Sequence, residues 1–130
     1  MASRIFQRPW TIGQNWVNLV LKIVWNGTGT PTLGIEGDPK GAYVSIARTG
    51  VGTGTITTKD PYPGIVTKQV SVTRGTPAGT VTIEFGSSTH NSDGTWTIPF
   101  TTFIAGSAAD LTSGDVLDFF LIFRNSSVQP

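Results

Sequence analysis

Apolar and polar residues alternate along much of the chain, which is the pattern of half-buried β-strands. The first segment of this kind opposes an apolar face to one that carries Asn18 and Lys22. Its apolar members are Val17, Leu19, Leu21, Ile23 and Trp25. Asparagines and Lys22 at helical spacing offer an amphipathic helix as the alternative. Because β-branched and aromatic residues fill the segment and Asn26-Gly27 ends it like a hairpin turn, we predict a strand.

Five later segments repeat the alternation between breaks that are rich in glycine and proline. They are Ala42, Val44 and Ile46; Val66, Val70 and Val72; Val81, Ile83 and Phe85; Trp96, Ile98 and Phe100; and Leu117, Phe119, Leu121 and Phe123. Short strands separated by such turns are typical of all-β domains. The pattern therefore predicts a single-domain β-sandwich or β-barrel of about seven or eight short antiparallel strands.

The breaks between these segments carry their own predictions. Residues 27–41 lack periodicity and predict a long loop, residues 50–54 a hairpin turn, and residues 86–94 a polar connection between two hairpin strands. Residues 59–64 exclude a central strand, because Pro61 and Pro63 lack amide donors. Pro99 lies inside a strand pattern and predicts an edge strand or a bulge. Residues 107–111 suggest one helical turn.

The first residues do not follow the alternation, and we divide the chain into an extended N-terminal arm, residues 1–14, and a β domain, residues 15–130. The arm contains Ile5, Phe6 and Trp10, which are costly to leave in water, and two cations, Arg4 and Arg8. We expect it to dock, either on its own core or on a neighbouring subunit.

The composition excludes several classes of functional site. The 130 residues include no cysteine and one histidine, which excludes disulfide scaffolds, zinc ribbons, iron–sulfur sites and multi-histidine metal sites within one chain. Charged residues make up 13% of the chain, against roughly 25% in an average domain, and the formal net charge is +1. Without a basic stripe we expect no nucleic-acid partner. Low charge in a chain rich in β-branched residues suggests a surface made for a virion, fibre or oligomer interface.

No apolar segment approaches the ~20 residues that span a bilayer, and the first ten residues do not resemble a signal peptide. We therefore expect synthesis in the cytoplasm and no membrane partner. The charges are uneven, since Arg4, Arg8 and Lys22 precede every acidic residue. A second cluster near the other end comprises Asp110, Asp115 and Asp118. The two groups are candidates to pair within or between chains, although chance explains the asymmetry equally well.

Candidate chemistry is sparse. His90 lies near Ser87, Ser88 and Asp93, but no serine stands in a nucleophile motif, so a solvated loop histidine is the expected reading. Glu36 and Asp38 lie in a glycine-rich loop, Glu84 points outward, and Asp118 favours a structural ion pair to another strand. Neither the 91–94 loop nor the glycines of 50–54 match a calcium or phosphate motif. We expect no catalytic residue, cofactor, metal or small-molecule substrate.

The aromatic residues allow a sugar-stacking platform as another hypothesis. Trp25 and Trp96 belong by parity to apolar faces and are predicted to lie in the core. Tyr62, between two prolines, is the aromatic residue that we expect to be most exposed.

Three blocks of the chain resemble the small decoration, or cement, proteins of tailed-bacteriophage heads. They are an opening like Ser3-Arg4-Ile5-Phe6 through Pro9; a middle block like 41–52, followed by 55–57 and Asp60-Pro61-Tyr62-Pro63; and an ending like 120–128. The resemblance implies a non-enzymatic protein on the outer surface of the capsid. It also implies the major capsid protein as partner and a homo-oligomer, with a trimer favoured.

The resemblance and the apolar anchors together select the candidate interface residues. They are Arg4, Ile5, Phe6, Arg8 and Trp10 in the arm, and Asp60 and Tyr62 in the 59–64 loop. The alternative is a tail-fibre or appendage module that binds a glycan or host receptor through Tyr62. A small lyase or hydrolase is a third possibility, which an essential His90 would support.

Overall fold

Ten strands in two antiparallel sheets form the part of the chain that the computed structural model describes, residues 16–34, 41, 43–76 and 79–124. They are β1 (Trp16–Val24), β2 (Thr32–Leu33), β3 (Val44–Gly50), β4 (Thr53–Thr58), β5 (Gly64–Thr73), β6 (Val81–Phe85), β7 (Thr89–His90), β8 (Trp96–Ile104), β9 (Ser107–Ala108) and β10 (Val116–Arg124). No helix occurs among these residues. The predicted all-β sandwich is confirmed, with three two-residue strands beside the seven longer ones.

Each sheet is built around one long strand. In the first sheet the order is β2-β1-β10-β5, and β10 pairs along its whole length with both β1 and β5. In the second sheet the order is β3-β4-β8-β6, and β7 and β9 also pair with β8. We call these the β10 sheet and the β8 sheet. The arm, residues 1–14, lies outside the described residues, as does the boundary that separates it from the domain.

The core lies between the two sheets and follows the predicted alternation. Leu21, Phe119 and Ile98 are almost fully buried, and Trp25 is buried just after β1 ends. Phe119 packs against Phe100 of the facing sheet with ring centroids 5.1 Å apart. Trp96 is half-buried and packs against the core edge. Because odd-numbered residues of β1 and β10 point inward, their even-numbered residues form the outer face of the β10 sheet.

Two bulges account for the positions where simple alternation misleads. On β5, Ile65 pairs with Phe123 and Thr67 pairs with Ile122, so one extra residue is inserted at Val66. Val66 is therefore exposed, whereas Val70 packs against the core as expected. The second bulge lies between β6 and β7, opposite β8. Phe85 pairs with Phe100 and Thr89 pairs with Thr97, so the β6–β7 side contains one more residue than β8 between these two pairs.

The second bulge explains how Pro99 is tolerated. β8 is a central strand, so the edge-strand option is wrong and the bulge option is right. Gly86 N donates to Pro99 O. The nitrogen of Pro99 points toward the same side as its carbonyl, where the ladder is interrupted between β6 and β7. Because no regular hydrogen bond is expected from that nitrogen, the absence of an N–H in Pro99 breaks no pair of the ladder.

The turn at 50–54 is confirmed as a hairpin connection. Residues 86–94 join the paired strands β6 and β8 as predicted, but they also contain β7, which pairs with β8. Two further segments differ from expectation. β2 lies within the loop predicted over 27–41 and pairs with the end of β1. The helical turn predicted over 107–111 is wrong, because Ser107 pairs with Ile104 in a tight hairpin. Both residues of its turn, Ala105 and Gly106, have positive φ, as a type I′ turn requires.

Candidate functional site

The outer face of the β10 sheet carries an exposed apolar patch. Val20 is 58% exposed and lies opposite Phe120 in the β1–β10 ladder. Ile122 lies two residues further along the same face, and both it and Phe120 are half-buried. We call Val20, Phe120 and Ile122 the outer patch. Outward positions of a solvated antiparallel sheet are usually polar, so three apolar side chains on this face depart from the usual pattern.

Polar groups border the outer patch on two sides. Lys22 on β1 and Asp118 on β10 form a 2.9 Å ion pair beside Val20. Gln69 and Ser71 of β5 line a shallow depression together with Val20 and Phe120. An apolar centre with a polar rim is the usual arrangement of protein–protein contact surfaces.

A cleft opens at the edge of the same sheet. It is lined by Val17, Asn18 and Leu19 of β1, by Tyr43, and by the segment from Asp60 to Tyr62. Tyr43 is 50% exposed and Asp60 is exposed. Asp60 and Tyr62, two of the candidate interface residues, therefore lie beside β1. The sequence pattern predicted both segments but not that they lie next to each other.

The 59–64 loop that supplies this cleft is held by the turn before β8. Tyr62 N donates to Gly94 O at 3.0 Å, and the Trp96 indole Nε1 donates to Tyr62 O at 2.9 Å. Thr58 Oγ1 accepts from Trp96 N and donates to Asp60 O. As predicted, the loop is not a strand, and these bonds hold Asp60 at the cleft wall.

The expected exposure of Tyr62 is wrong. Its side chain is 6% exposed and stacks on Phe123 with ring centroids 4.6 Å apart. Burial raises the pKa of the Tyr62 hydroxyl, and the charges of Asp60 and Tyr43 act in the same direction. The flanking prolines, which suggested an exposed loop, instead lead the ring into the gap between the sheets. Tyr43 is the exposed aromatic residue of the cleft.

Three carboxylates that the sequence singled out are held in structural ion pairs. Asp118 pairs with Lys22 on the neighbouring strand, as predicted. Asp110 accepts two bonds from Arg48, at 3.0 and 2.6 Å, and a third from Gly52 N. The Arg48 bonds hold the pKa of the Asp110 carboxyl below its usual value, with further help from Gly52 N.

Asp115 is the most enclosed of the three. It is 4% exposed, accepts from Arg74 Nε at 2.9 Å, and also accepts from the backbone amides of Thr112 and Gly75. The hypothesis that these acids pair with the N-terminal cations therefore holds for Lys22 with Asp118, while Asp110 and Asp115 have other partners. Arg4 and Arg8 lie outside the described residues.

His90 has a packing role. Its ring stacks on Trp96 at 4.2 Å with the planes 3° apart, and its Nε2 lies 3.2 Å from Gly94 O. Asp93 accepts from the amide and hydroxyl of Thr95, which lowers the pKa of its carboxyl. Ser88 Oγ accepts from Lys68 Nζ at 2.9 Å. In the described part of the chain no hydrogen bond joins these serine, histidine and aspartate side chains into a relay.

The remaining candidate interface residues, Arg4, Ile5, Phe6, Arg8 and Trp10, lie outside the described residues, as do Glu36 and Asp38. The outer patch was not predicted, although the sequence contains its signal. β10 is apolar at both parities, from Val116 to Phe123 with one interruption at Asp118. A strand of this kind has either both faces covered or one apolar face exposed.

Residues 16–34, 41, 43–76 and 79–124 contain no group of three or more potential metal-ligating side chains and no helix that could cross a membrane. Comparison of the chain with known proteins finds no matching family model, no matching curated protein and no matching solved structure.

Proposed function

We propose that this chain is a non-enzymatic structural protein of a tailed-bacteriophage virion. In this role it binds the outer surface of the capsid as a decoration protein and stabilises the contacts between capsomers. Its partner is the major capsid protein, it is assembled in the host cytoplasm as a homo-oligomer, and its final location is the virion surface. The resemblance of the three sequence blocks supplies the identity of the partner.

The outer patch is the observation that supports a binding role. Val20, Phe120 and Ile122 lie on one sheet face, beside the Lys22–Asp118 ion pair and the polar side chains of β5. Many copies of a modest contact, with positions set by the shell lattice, bind together with high avidity.

The test is co-sedimentation with expanded heads of the phage whose genome carries this chain. We expect Phe120→Lys to weaken saturable binding by the chain about 10- to 150-fold, because burying an aromatic side chain contributes about 1.5–3 kcal/mol. Val51→Lys is the matched control, since Val51 is 60% exposed at the β3–β4 turn of the other sheet. Equal binding by both variants would remove the outer patch from the contact.

The arm has its own test. A chain without residues 1–10 is expected to fold, because the described sandwich is built from residues 16–124, and to lose binding to heads if the arm is a clamp. Unchanged affinity of the truncated chain would exclude that role.

A glycan- or receptor-binding module of a tail fibre is the second candidate, and the cleft favours it. Tyr43 presents a half-exposed ring near the Asp60 carboxylate and Asn18, a combination that suits stacking on a sugar and bonding to its hydroxyls. Binding to a glycan array that is lost in Tyr43→Ala and retained in Val51→Ala would support this function. An array without signal from the folded chain would count against it.

A further inference from the structure

Two turns contain a residue pair that can undergo a spontaneous covalent change, Asn26-Gly27 and Asp93-Gly94. In such a pair the backbone nitrogen of the glycine attacks the side-chain carbonyl carbon of the preceding residue and closes a succinimide ring. Glycine favours the reaction, because without a Cβ the backbone can rotate freely enough to bring the two atoms together. The structure distinguishes the two pairs, since it holds one of them far more firmly than the other.

The Asn26-Gly27 pair lies in the turn that follows β1. Asn26 is exposed, and Gly27 has a φ of +58° with open space where a Cβ would lie. The Gly27 N–H donates no hydrogen bond to any residue that the structure describes, so the attacking nitrogen is available. The side chain of Asn26 is held weakly, since its Oδ1 lies 3.5 Å from Ser113 Oγ, at the long limit of a hydrogen bond.

Ring closure at this turn disturbs little of the fold. The rotation that it requires would break one backbone bond, in which Gly29 N donates to Asn26 O at 2.8 Å. Trp25, the residue before the pair, is anchored by two other bonds. Trp25 N donates to Asp115 O at 2.7 Å, and Gly114 N donates to Trp25 O at 2.9 Å. The end of β1 can therefore stay in place while the turn reacts.

The backbone of the Asp93-Gly94 pair is fixed by its neighbours. Gly94 N donates to Asn91 O at 2.9 Å, so the nitrogen that would attack is already engaged. Gly94 O accepts from Tyr62 N at 3.0 Å. A Cβ at Gly94 would lie 2.7 Å from Pro61 Cβ, so the 59–64 loop packs closely against this glycine. Rotation of the backbone here would break both bonds and disturb that packing.

The side chain of Asp93 is held as well. Its Oδ1 accepts from Thr95 N at 3.0 Å and from Thr95 Oγ1 at 2.6 Å. These two bonds lower the pKa of the carboxyl. Ring closure expels water from a neutral carboxylic acid, and an ionised carboxylate offers no such leaving group. Asp93 is therefore protected both by its position and by its charge.

We propose that Asn26 is a site of spontaneous deamidation in the folded protein, and that Asp93 is protected from the equivalent isomerisation. The Gly27 nitrogen forms a bond to Asn26 Cγ, its proton passes through solvent to the side-chain nitrogen, and that nitrogen leaves as ammonia. Water then opens the succinimide at either carbonyl, which gives aspartate or isoaspartate at residue 26. The reaction consumes one water and releases one ammonia, and it requires no oxidant and no enzyme.

The modification changes the charge at one corner of the β10 sheet. The formal net charge of the chain is +1, and one new carboxylate at residue 26 reduces it to zero. That carboxylate lies near Ser113, in the turn that precedes β10. In the isoaspartate product the main chain runs through the former side chain, which lengthens the connection between β1 and β2 by one carbon. The proposal does not depend on binding to heads.

Peptide mapping by mass spectrometry tests both halves of the proposal. Two samples of the full chain are kept at mildly alkaline pH, one folded and one unfolded in guanidinium chloride, until half of Asn26 in the unfolded sample has converted. We expect the folded chain to contain aspartate and isoaspartate at residue 26 and no isoaspartate at residue 93. The unfolded chain should contain isoaspartate at both. An intact Asn26 in the folded chain, or isoaspartate at residue 93 to the same extent as at residue 26, would overturn the proposal.

Isoelectric focusing of two variants assigns the new charge to this pair. Asn26→Gln keeps an exposed amide but places its carbonyl carbon one bond further from the Gly27 nitrogen, so we expect the acidic band to be lost. Thr28→Ala changes another exposed residue of the same turn and leaves the pair intact, so the band should form as in the unchanged chain. An acidic band that forms equally fast in Asn26→Gln would contradict the proposal.

Discussion

Two aspartates near the start of β10 provide a quantitative test, because both form ion pairs at 2.9 Å but differ in burial. Asp115 is 4% exposed, and its partner Arg74 has a side-chain exposure of 13%. Asp118 and Lys22 have side-chain exposures of 37% and 30%. Besides Arg74, Asp115 accepts bonds from two backbone amides, so its removal leaves a buried cation and two amides without this acceptor.

We expect Asp115→Ala to lower the free energy of unfolding by about 3–5 kcal/mol, as for other buried pairs that lose one partner. Asp118→Ala should lower it by less than about 1 kcal/mol, because water screens the exposed pair. In a domain of this size the first change corresponds to a fall in Tm of roughly 10–20 °C. Urea and thermal unfolding followed by circular dichroism measure both variants. Equal losses, or a loss below about 1 kcal/mol for Asp115→Ala, would refute the reasoning from burial.

Three further predictions concern the core and the turns. Arg48 lowers the pKa of the folded Asp110 carboxyl. The free energy that ionised Asp110 adds to folding is therefore present above the unfolded carboxyl pKa of about 3.9 and is lost as pH falls through the lower folded value. Urea unfolding as a function of pH should show a weaker acid dependence in Asp110→Asn. Gly52→Ala should lower the free energy of unfolding by about 3 kcal/mol and Gly106→Ala by about 1 kcal/mol. Both glycines have positive φ, but only a Cβ at Gly52 would meet the backbone, 2.7 Å from Ala109 O. Equal losses in thermal unfolding would contradict this. Phe119→Ala should cost about 3–5 kcal/mol, since its ring contacts the facing sheet, and a smaller loss in urea unfolding would mean that the cavity collapses.

The strands were predictable because their signal is local. Leu117, Phe119, Leu121 and Phe123 alternate so regularly that parity alone places them in the core, as observed. The order of strands was not predictable, because parity assigns a side chain to a face and says nothing about which strand lies beside it. The pairing of the first strand with the last required the three-dimensional structure.

The errors arose where tertiary contacts overrode local signals. Tyr62 lies between two prolines that suggest exposure, but its ring finds Phe123 in the gap between the sheets. The hairpin before Ser107 depends on a positive φ at Ala105, a residue type that rarely adopts it, so the sequence carries no signal for this turn. The outer patch was not predictable from parity, because parity places Phe120 and Ile122 on the face opposite the core and does not say what lies against that face.

Co-sedimentation of the full chain with expanded phage heads is the most direct test of the proposed function. We predict saturable binding, at a ratio set by the shell lattice, that is weakened at least about 10-fold in Phe120→Lys and retained in Val51→Lys. A folded chain that remains in the supernatant at every concentration would contradict the capsid-binding role. The cleft at Tyr43 and Asp60 would then be the surface to test next.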